Sequence, residues 1–259
     1  MPTKLGQNFL NDASIVTKII QAANISSLDT VLEIGPGEGI LTEQLANLSK
    51  KVLTIEIDDR LIPTLTEKLK NTPNITLLHA DILDVNLPIL LKEANISTYH
   101  VIANIPYYIT SPIIRLLLET PQQPKQILLM VQKEVAERII AKPGKMSILS
   151  NSVQYYADAE ILFNVSRDKF TPTPKVDSAI LKITPKTAYN STNPEIKAFF
   201  RLIRAGFSAK RKTLLNNLSA TLQIDKKILE LAFNKLALKA TVRAQELSTE
   251  DWKKLSTFL

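Results

Sequence analysis

Short apolar segments alternate with longer amphipathic ones through the first half of the chain. The apolar segments predict five β-strands, at Thr30–Gly35, Lys51–Asp58, Asn74–Asp81, Tyr99–Asn104 and Gln126–Gln132. Residues 12–24 and 40–48 instead repeat their apolar positions at helical spacing. Strands that are almost entirely apolar suit a sheet covered on both faces, and their alternation with helices favours parallel pairing. The pattern therefore predicts an α/β fold, with a mostly parallel sheet and helices on both faces.

The pattern changes after residue 165. Residues 170–176 are too rich in proline for a helix or a central strand, and we expect a rigid loop leading into a late strand at Ser178–Ile183. Residues 185–194 are rich in Thr, Asn and Ser, as linkers are, and helical patterns dominate from Glu195 onward. The sequence therefore predicts an α/β domain at 1–186 and a small all-α domain at 187–259, with the boundary near Thr187.

Composition excludes several classes of protein. No apolar run approaches the roughly 18 residues that span a bilayer, and the first ten residues lack the basic and apolar regions of a secretory signal. The chain has no cysteine and only two histidines, His79 and His100, so we expect neither disulfides nor a metal site. We expect a cytoplasmic monomer with no membrane segment.

Net charge is distributed unevenly along the chain. Residues 1–185 carry 18 basic and 19 acidic side chains, a net charge of −1, whereas residues 186–259 carry 14 and 6, a net charge of +8. This asymmetry favours a C-terminal domain that binds a polyanion, although a solvated basic surface would give the same count. The candidate phosphate contacts lie on and after the first C-terminal helix, at Arg201, Arg204, Lys210, Arg211 and Lys212.

The first strand ends in a glycine-rich loop, Glu33-Ile-Gly35-Pro-Gly37-Glu-Gly39, and a helical pattern follows at once. Glycines such as Gly35 and Gly37 let a backbone turn sharply and approach a ligand beside the amides of the next helix. A tight turn without a ligand, or a dinucleotide site, would contain a similar loop. The spacing resembles motif I of methyltransferases more than the dinucleotide pattern Gly-x-Gly-x-x-Gly, which favours S-adenosylmethionine over NAD.

Acidic residues follow at the ends of the next two strands. Glu56 comes about 20 residues after Gly35, where a carboxylate can accept hydrogen bonds from both ribose hydroxyls. Asp81 is placed to accept a hydrogen bond from the adenine amine of the same cofactor. Each acid alone would also suit a helix cap or a solvated strand end. Together with the loop, they predict a site for an adenosine-containing cofactor.

The fourth strand ends in Asn104-Ile105-Pro106-Tyr107. The exocyclic amine of adenine is a poor nucleophile, so catalysis needs acceptors that hold its N–H groups and orient the nitrogen. Asn104 offers a side-chain oxygen, and Pro106 restricts Ile105 so that a backbone carbonyl is fixed in direction. Tyr107 can stack on the base, and we expect Phe170 to supply a second aromatic face. A simple strand-ending turn, and an ordinary core phenylalanine, are the alternatives.

The chain resembles the small-subunit rRNA adenine N6,N6-dimethyltransferases nearly from end to end. The matching motifs are Gly6-Gln-Asn-Phe-Leu10, Glu33-Ile-Gly-Pro-Gly-Glu-Gly-Ile-Leu-Thr42, Asn104-Ile-Pro-Tyr107, Gln132-Lys-Glu-Val-Ala-Glu-Arg138, Phe170-Thr-Pro-Thr-Pro-Lys-Val176 and Arg211-Lys-Thr-Leu214. One departure is Met146-Ser147, where the family usually has Tyr-Gly, and it puts the backbone shape of that loop in doubt.

The resemblance implies a Rossmann-like methyltransferase domain with an N-terminal flap, at 1–186, and an rRNA-binding helical domain at 187–259. It implies cofactor contacts from Asn8 and Leu10 in that flap, besides Gly35, Glu56, Asp81 and Asn104. It also implies that two adjacent adenosines near the 3′ end of small-subunit rRNA are each dimethylated, with S-adenosylmethionine as methyl donor, in an assembling ribosomal subunit.

Two other functions share parts of this pattern. A resistance-type methyltransferase acting on one adenine of large-subunit rRNA would have the same cofactor motifs and the same Asn-x-Pro-Tyr. The motif Arg211-Lys-Thr-Leu214 favours the interpretation as a small-subunit enzyme. An RNA-binding assembly factor could keep the fold without chemistry. The presence of Glu56, Asp81, Asn104 and Tyr107 argues against that loss.

Overall fold

A computed structural model of the chain describes residues 7–186 and 193–259. Its strands are β1 (Phe9–Leu10), β2 (Thr30–Ile34), β3 (Lys51–Glu56), β4 (Ile75–His79), β5 (His100–Asn104), β6 (Gln126–Gln132), β7 (Ala157–Val165), β8 (Phe170–Thr171) and β9 (Ser178–Pro185). Its α-helices are α1 (Ala13–Ala23), α2 (Ile40–Leu48), α3 (Ile62–Leu69), α4 (Leu87–Glu93), α5 (Thr110–Leu118), α6 (Lys133–Ile139), α7 (Ile148–Tyr156), α8 (Pro194–Gly206), α9 (Leu214–Leu222), α10 (Lys226–Lys235) and α11 (Thr249–Ser256).

Seven strands form one sheet in the order β4-β3-β2-β5-β6-β9-β7. The pairs from β4 to β6 are parallel, and β9 and β7 add an antiparallel edge. Nearly every residue of β2, β3 and β6 is buried, as expected for central strands with helices on both faces. The predicted α/β fold with a mostly parallel sheet is confirmed, and the five predicted strands correspond to β2 through β6.

A separate two-stranded sheet joins the N-terminal segment to the proline-rich loop. Phe9 pairs with Thr171 and Leu10 pairs with Phe170 in antiparallel register. The buried side chains of Leu10 and Phe170 lie in one apolar cluster with residues of α1, α2 and the large sheet. This cluster attaches the segment that precedes α1 to the body of the fold.

The described residues group into two compact units, 7–136 with 157–186 and 137–156 with 193–259. The first unit contains both sheets, and the second contains α7 to α11 and no strand among its described residues. The division at 186/187 did not anticipate that residues 137–156 group with the C-terminal helices. The predicted boundary near Thr187 itself lies outside the described residues.

Ser147, the departure from the family pattern, lies immediately before α7. Its Oγ accepts a hydrogen bond from the Ser150 N–H at 3.1 Å, and its own N–H donates to Ser150 Oγ at 2.7 Å. Such reciprocal bonding satisfies N–H groups that a helix start leaves unpaired. The serine is therefore compatible with an ordered helix start inside the second unit.

Candidate active site

A pocket opens in the first unit where the parallel strands β2 to β5 end. Ligands of open α/β sheets bind beyond the carboxyl ends of the strands, where loops diverge. The lining includes all the residues predicted for the cofactor and most of those predicted for the chemistry: Asn8, Leu10, Gly35, Gly37, Glu56, Asp81, Asn104, Ile105, Pro106 and Tyr107. The structure thus brings together residues that are nearly 100 positions apart in the sequence.

The glycine-rich loop passes from β2 to α2 in a backbone conformation that favours glycine. Gly35, Gly37 and Gly39 have φ angles of +69°, +57° and +78°. A Cβ atom at Gly37 would also lie 3.2 Å from the ring of Phe9, which packs on the loop from the N-terminal segment. The loop therefore needs glycine both for its turn and for the close approach of that segment.

Glu56 ends β3 with a side chain that is only 2% exposed. Its Oε1 accepts hydrogen bonds from the N–H groups of Ile57 and Asp58, at 3.0 and 2.9 Å, and its Oε2 accepts one from the Gly37 N–H at 3.2 Å. Burial raises the pKa of Glu56, and the three N–H donors oppose that rise. The carboxylate is thus held in one orientation against the glycine loop, ready to accept from a diol.

Asp81 follows β4 and is partly buried. Its Oδ1 accepts a hydrogen bond from the Leu83 N–H at 2.9 Å. No bond to its second oxygen is found among the described residues, so an acceptor remains for an amine in the pocket.

Glu33, which was not among the predicted site residues, is a second buried acid of the pocket. It is 1% exposed, and its Oε2 has no hydrogen-bond partner among the described residues. Burial raises the pKa of Glu33 to about 7, the hydroxyls of Thr42 and Thr54 oppose this rise, and the nearby Glu56 carboxylate adds to it. The sequence did point to Glu33, since it is the first residue of the glycine-rich loop motif. Its burial was not predicted, because an acidic side chain near the end of a strand usually faces the loop rather than the core.

Asn104 is the last residue of β5, and its parallel neighbour in β6 is Met130. The Asn104 side chain makes no hydrogen bond to any residue in the described part of the chain. Pro106, with φ −56° and ψ 137°, directs the chain into a short 3-10 helix at Tyr107–Ile109. The side-chain amide and the backbone before the proline therefore both face the pocket with hydrogen-bonding capacity to spare.

Tyr107 is hydrogen-bonded at both its hydroxyl and its backbone carbonyl. Its hydroxyl and the Oγ of buried Ser178 are 2.7 Å apart, and its carbonyl accepts a bond from the Thr110 hydroxyl at 3.0 Å. Burial raises the pKa of Tyr107, so the phenol is neutral around physiological pH. The sequence did not identify Ser178 as the partner that orients this ring.

Phe170, predicted as a second aromatic face, is buried in this structure. Its side chain is 2% exposed and belongs to the apolar cluster with Leu10 and Val16, and it does not line the pocket. The reason is the pairing of Phe170 with Leu10, which turns the ring inward under the N-terminal segment. In this structure the ring is therefore not available to stack on a base.

The N-terminal flap, residues 7–12, is held at both ends. The side chain of Gln7 bonds to that of buried Asp58, just past β3. Asp12 forms an ion pair with Lys169 at 2.8 Å, and the Asn11 N–H donates to the Lys169 carbonyl at 3.0 Å. The flap is the element that carries Asn8 and Leu10 to the pocket.

The five candidate phosphate contacts all lie in the second unit. Arg201 and Arg204 are exposed on α8, and Lys210, Arg211 and Lys212 are exposed in the loop between α8 and α9. None of these five forms an ion pair with another described residue.

Within the part of the chain that the structure describes, no helix combines the length and apolar character needed to cross a membrane.

Comparisons with known proteins agree on one family. The model of the ribosomal RNA adenine dimethylase family matches residues 1–259. A protein named ribosomal RNA small subunit methyltransferase A from Dehalococcoides mccartyi is 44% identical over 252 residues, which is 97% of this chain and 86% of that protein. A Clostridium botulinum protein of the same name is 43% identical over 257 residues, covering 97% of this chain and 91% of its own length.

Solved structures include two similar folds. A dimethyladenosine transferase from Plasmodium falciparum superposes with a TM-score of 0.81 at 33% identity, over 95% of each chain. The 23S rRNA methyltransferase ErmE superposes with a TM-score of 0.78 at 28% identity, over 97% of this chain and 99% of its own. Both similarities extend over nearly the whole chain.

Proposed function

The chain belongs to the ribosomal RNA adenine dimethylase family, whose members are S-adenosylmethionine-dependent enzymes, and we propose that it dimethylates the N6 amines of two adjacent adenosines near the 3′ end of small-subunit rRNA. The observation that carries this proposal is the convergence of Asn104, Glu56 and Asp81 on a single pocket. Asn104 supplies an acceptor for the reacting amine, and Glu56 and Asp81 supply acceptors for an adenosine.

The pocket fits S-adenosylmethionine by the chemistry of its donors and acceptors. Glu56 would accept from the ribose hydroxyls and Asp81 from the adenine amine, while the backbone at Gly35 and Gly37 permits close approach. The unpartnered carboxyl oxygen of buried Glu33 suits a positively charged ligand rather than a neutral one. When bound, the cofactor supplies an electrophilic methyl group on a sulfonium.

The chain's own contribution to catalysis is to orient the adenine amine. The side-chain oxygen of Asn104 and a carbonyl of the Ile105-Pro106 segment would accept its two N–H groups, which directs the nitrogen at the methyl group. Tyr107, fixed by Ser178, would stack on the base once it has left its own stack. No strong base is needed, because the proton leaves after the nitrogen has become cationic.

The second unit would bind rRNA through its phosphates. Arg201, Arg204, Lys210, Arg211 and Lys212 are exposed and form no ion pair with another described residue, so their charges are available to a nucleic-acid backbone. Such contacts position an enzyme without reading sequence. We further propose that the enzyme acts as a monomer in the cytoplasm, on a small subunit that is still being assembled.

The test is transfer of labelled methyl from S-adenosylmethionine to unmodified small subunits, with large-subunit rRNA in parallel, followed by mapping of the product nucleoside. Wild-type enzyme should yield dimethyladenosine at two adjacent positions of small-subunit rRNA. Asn104→Ala should still bind subunits but lose at least about 100-fold in transfer at saturating cofactor, as expected when an orienting group is removed.

Two results would redirect the assignment. Label only on large-subunit rRNA would place the chain with enzymes like ErmE, which the fold also resembles. Binding of small subunits without any transfer would indicate an assembly factor, and full maturation activity of Asn104→Ala would separate an assembly role from catalysis.

A further inference from the structure

Three apolar side chains lie at the rim of the active-site pocket and remain exposed. They are Tyr108, Ile57 and Leu83, at 62%, 42% and 38% exposure, and all three line the pocket. Ile57 directly follows Glu56 and Leu83 lies two residues after Asp81, so both are explained by their place beside the acids of the cofactor site. Tyr108 lies instead on the side of Asn104 and Tyr107, where the base is expected.

The geometry of the short 3-10 helix separates the two tyrosines. Consecutive residues of a 3-10 helix point about 120° apart, because the helix has three residues per turn. Tyr107 points back to Ser178 in the sheet, so Tyr108 points away from it toward solvent. The two rings therefore cannot enclose the same base, and Tyr108 is left for a different one.

Nothing within the described residues explains why an aromatic ring stands exposed at this position. The Tyr108 side chain makes no hydrogen bond and no ring contact with another described residue. A base that leaves its stack to enter the pocket also exposes a face of the nucleotide next to it. An aromatic ring at the pocket mouth can cover that face and recover part of the lost stacking free energy.

We propose that Tyr108 is the stacking platform for the nucleotide adjacent to the adenosine in the pocket. This inference rests on the proposed function, because the substrate it requires is an RNA whose target base is extruded. The occupant is a nucleobase rather than a protein side chain, since the ring is continuous with the pocket that receives the target base. For two neighbouring adenosines, the platform would hold one while the other reacts.

The proposal is tested by removing the Tyr108 ring and the neighbouring nucleobase, first separately and then together. Tyr108→Ala should lower kcat/KM for small subunits by about 5- to 100-fold, the range produced by the loss of one base–aromatic stack. Tyr108→Phe should retain most of the wild-type value, because a phenyl ring also stacks. Ile89→Ala is the matched control, since Ile89 is 52% exposed on α4 but does not line this pocket.

The decisive measurement uses reconstituted small subunits in which one of the two adjacent adenosines is replaced by an abasic nucleotide. Wild-type transfer to the remaining adenosine should fall to the level of Tyr108→Ala, and Tyr108→Ala should lose no more than about twofold further. Binding of S-adenosylhomocysteine, measured by calorimetry, should be the same for all variants.

Additive losses from the substitution and the abasic nucleotide would overturn the proposal, as would a loss of cofactor affinity that accounts for the whole effect. If wild-type enzyme transfers no methyl to intact small subunits, the proposed function fails and this inference fails with it. If wild-type transfer is normal but the effects of Tyr108→Ala and of the abasic nucleotide are independent, only the stacking role of Tyr108 is refuted.

Discussion

At the scale of single residues, Glu33 has the clearest physical signature in the site. It is buried, one of its oxygens has no hydrogen-bond partner among residues 7–186 and 193–259, and burial raises its pKa from an ordinary 4.5 to about 7. Because the folded state raises this pKa, it binds the proton more tightly than the unfolded chain. The folded protein is therefore stabilised by the protonated form at low pH and loses that contribution as pH rises through 7.

Glu33→Gln should remove this dependence, since an amide stays neutral at every pH. The free energy of unfolding of wild type relative to the variant should fall by about 2 to 3 kcal/mol between about pH 5 and pH 8. Urea unfolding of the cofactor-free proteins at both pH values measures the difference. Glu38→Gln, which changes an exposed acid of the same loop, is the control. A difference that stays constant with pH for both variants would contradict the assignment of Glu33 as a buried titrating acid.

Residues at strand ends were predictable because their position depends on the local pattern. Glu56, Asp81 and Asn104 each directly follow or end an apolar strand, and parallel strands bring such ends to one edge. The burial of Phe170 was not predicted, because the direction of its side chain depends on pairing with Leu10, about 160 residues earlier. Ser178 was missed for the same kind of reason, since its contact with Tyr107 spans 71 positions.

At the scale of elements, the flap depends on a contact that local pattern could not supply. The ion pair between Asp12 and Lys169 joins the start of α1 to the segment before β8, and it holds the pKa of Asp12 below its usual range. This contact anchors one end of residues 7–12, which contribute four residues to the pocket lining: Gln7, Asn8, Phe9 and Leu10. Cofactor binding should therefore be sensitive to the pair.

Lys169→Met should raise the Kd for S-adenosylhomocysteine about two- to fivefold, a range set by the modest strength of exposed ion pairs. Calorimetric titration measures this change. Lys182→Met is a matched control, because Lys182 pairs with Glu160 on the distant sheet edge and has a similar exposure, 32% against 38%. Equal effects of the two substitutions, or no effect of either, would show that the flap is anchored without this pair.

The late strand predicted at Ser178–Ile183 corresponds to β9, but β7 and the extent of the second unit were beyond the sequence pattern. The segment of β7 has no clear alternation, and its place is set by pairing with β9. Within the second unit, Gly206 lies where a Cβ atom would be 2.3 Å from the ring of Trp252. Packing of this kind selects a residue by what lies opposite it, and opposite residues are not neighbours in sequence.

At the scale of the whole molecule, charge follows the two units more closely than it follows the linear sequence. The described residues of the second unit carry 16 basic and 7 acidic side chains, a net charge of +9, because residues 137–156 add to the C-terminal excess. Those of the first unit carry 15 and 18, a net charge of −3. The difference supports the proposal that the helical unit attracts a polyanion, whereas the pocket lies in the first unit.

This separation predicts that binding and catalysis can be weakened independently. Replacing Arg211 and Lys212 together with Gln should reduce the slope of log Kd for small subunits against log salt concentration by about 2, if each contacts one phosphate. Methyl transfer at saturating subunits should stay close to wild type, because neither residue belongs to the unit that holds the pocket.

The matched control is Lys226→Gln with Lys227→Gln, which removes the same charge from the exposed first turn of α10 in the same unit. If phosphates are contacted locally, this control should leave the salt slope nearly unchanged, because distant exposed charges are screened within about 10 Å at ordinary ionic strength. Equal reductions for both pairs would mean that the unit attracts RNA through its overall field rather than through the loop between α8 and α9. An unchanged slope for Arg211 and Lys212 would remove that loop from the rRNA interface.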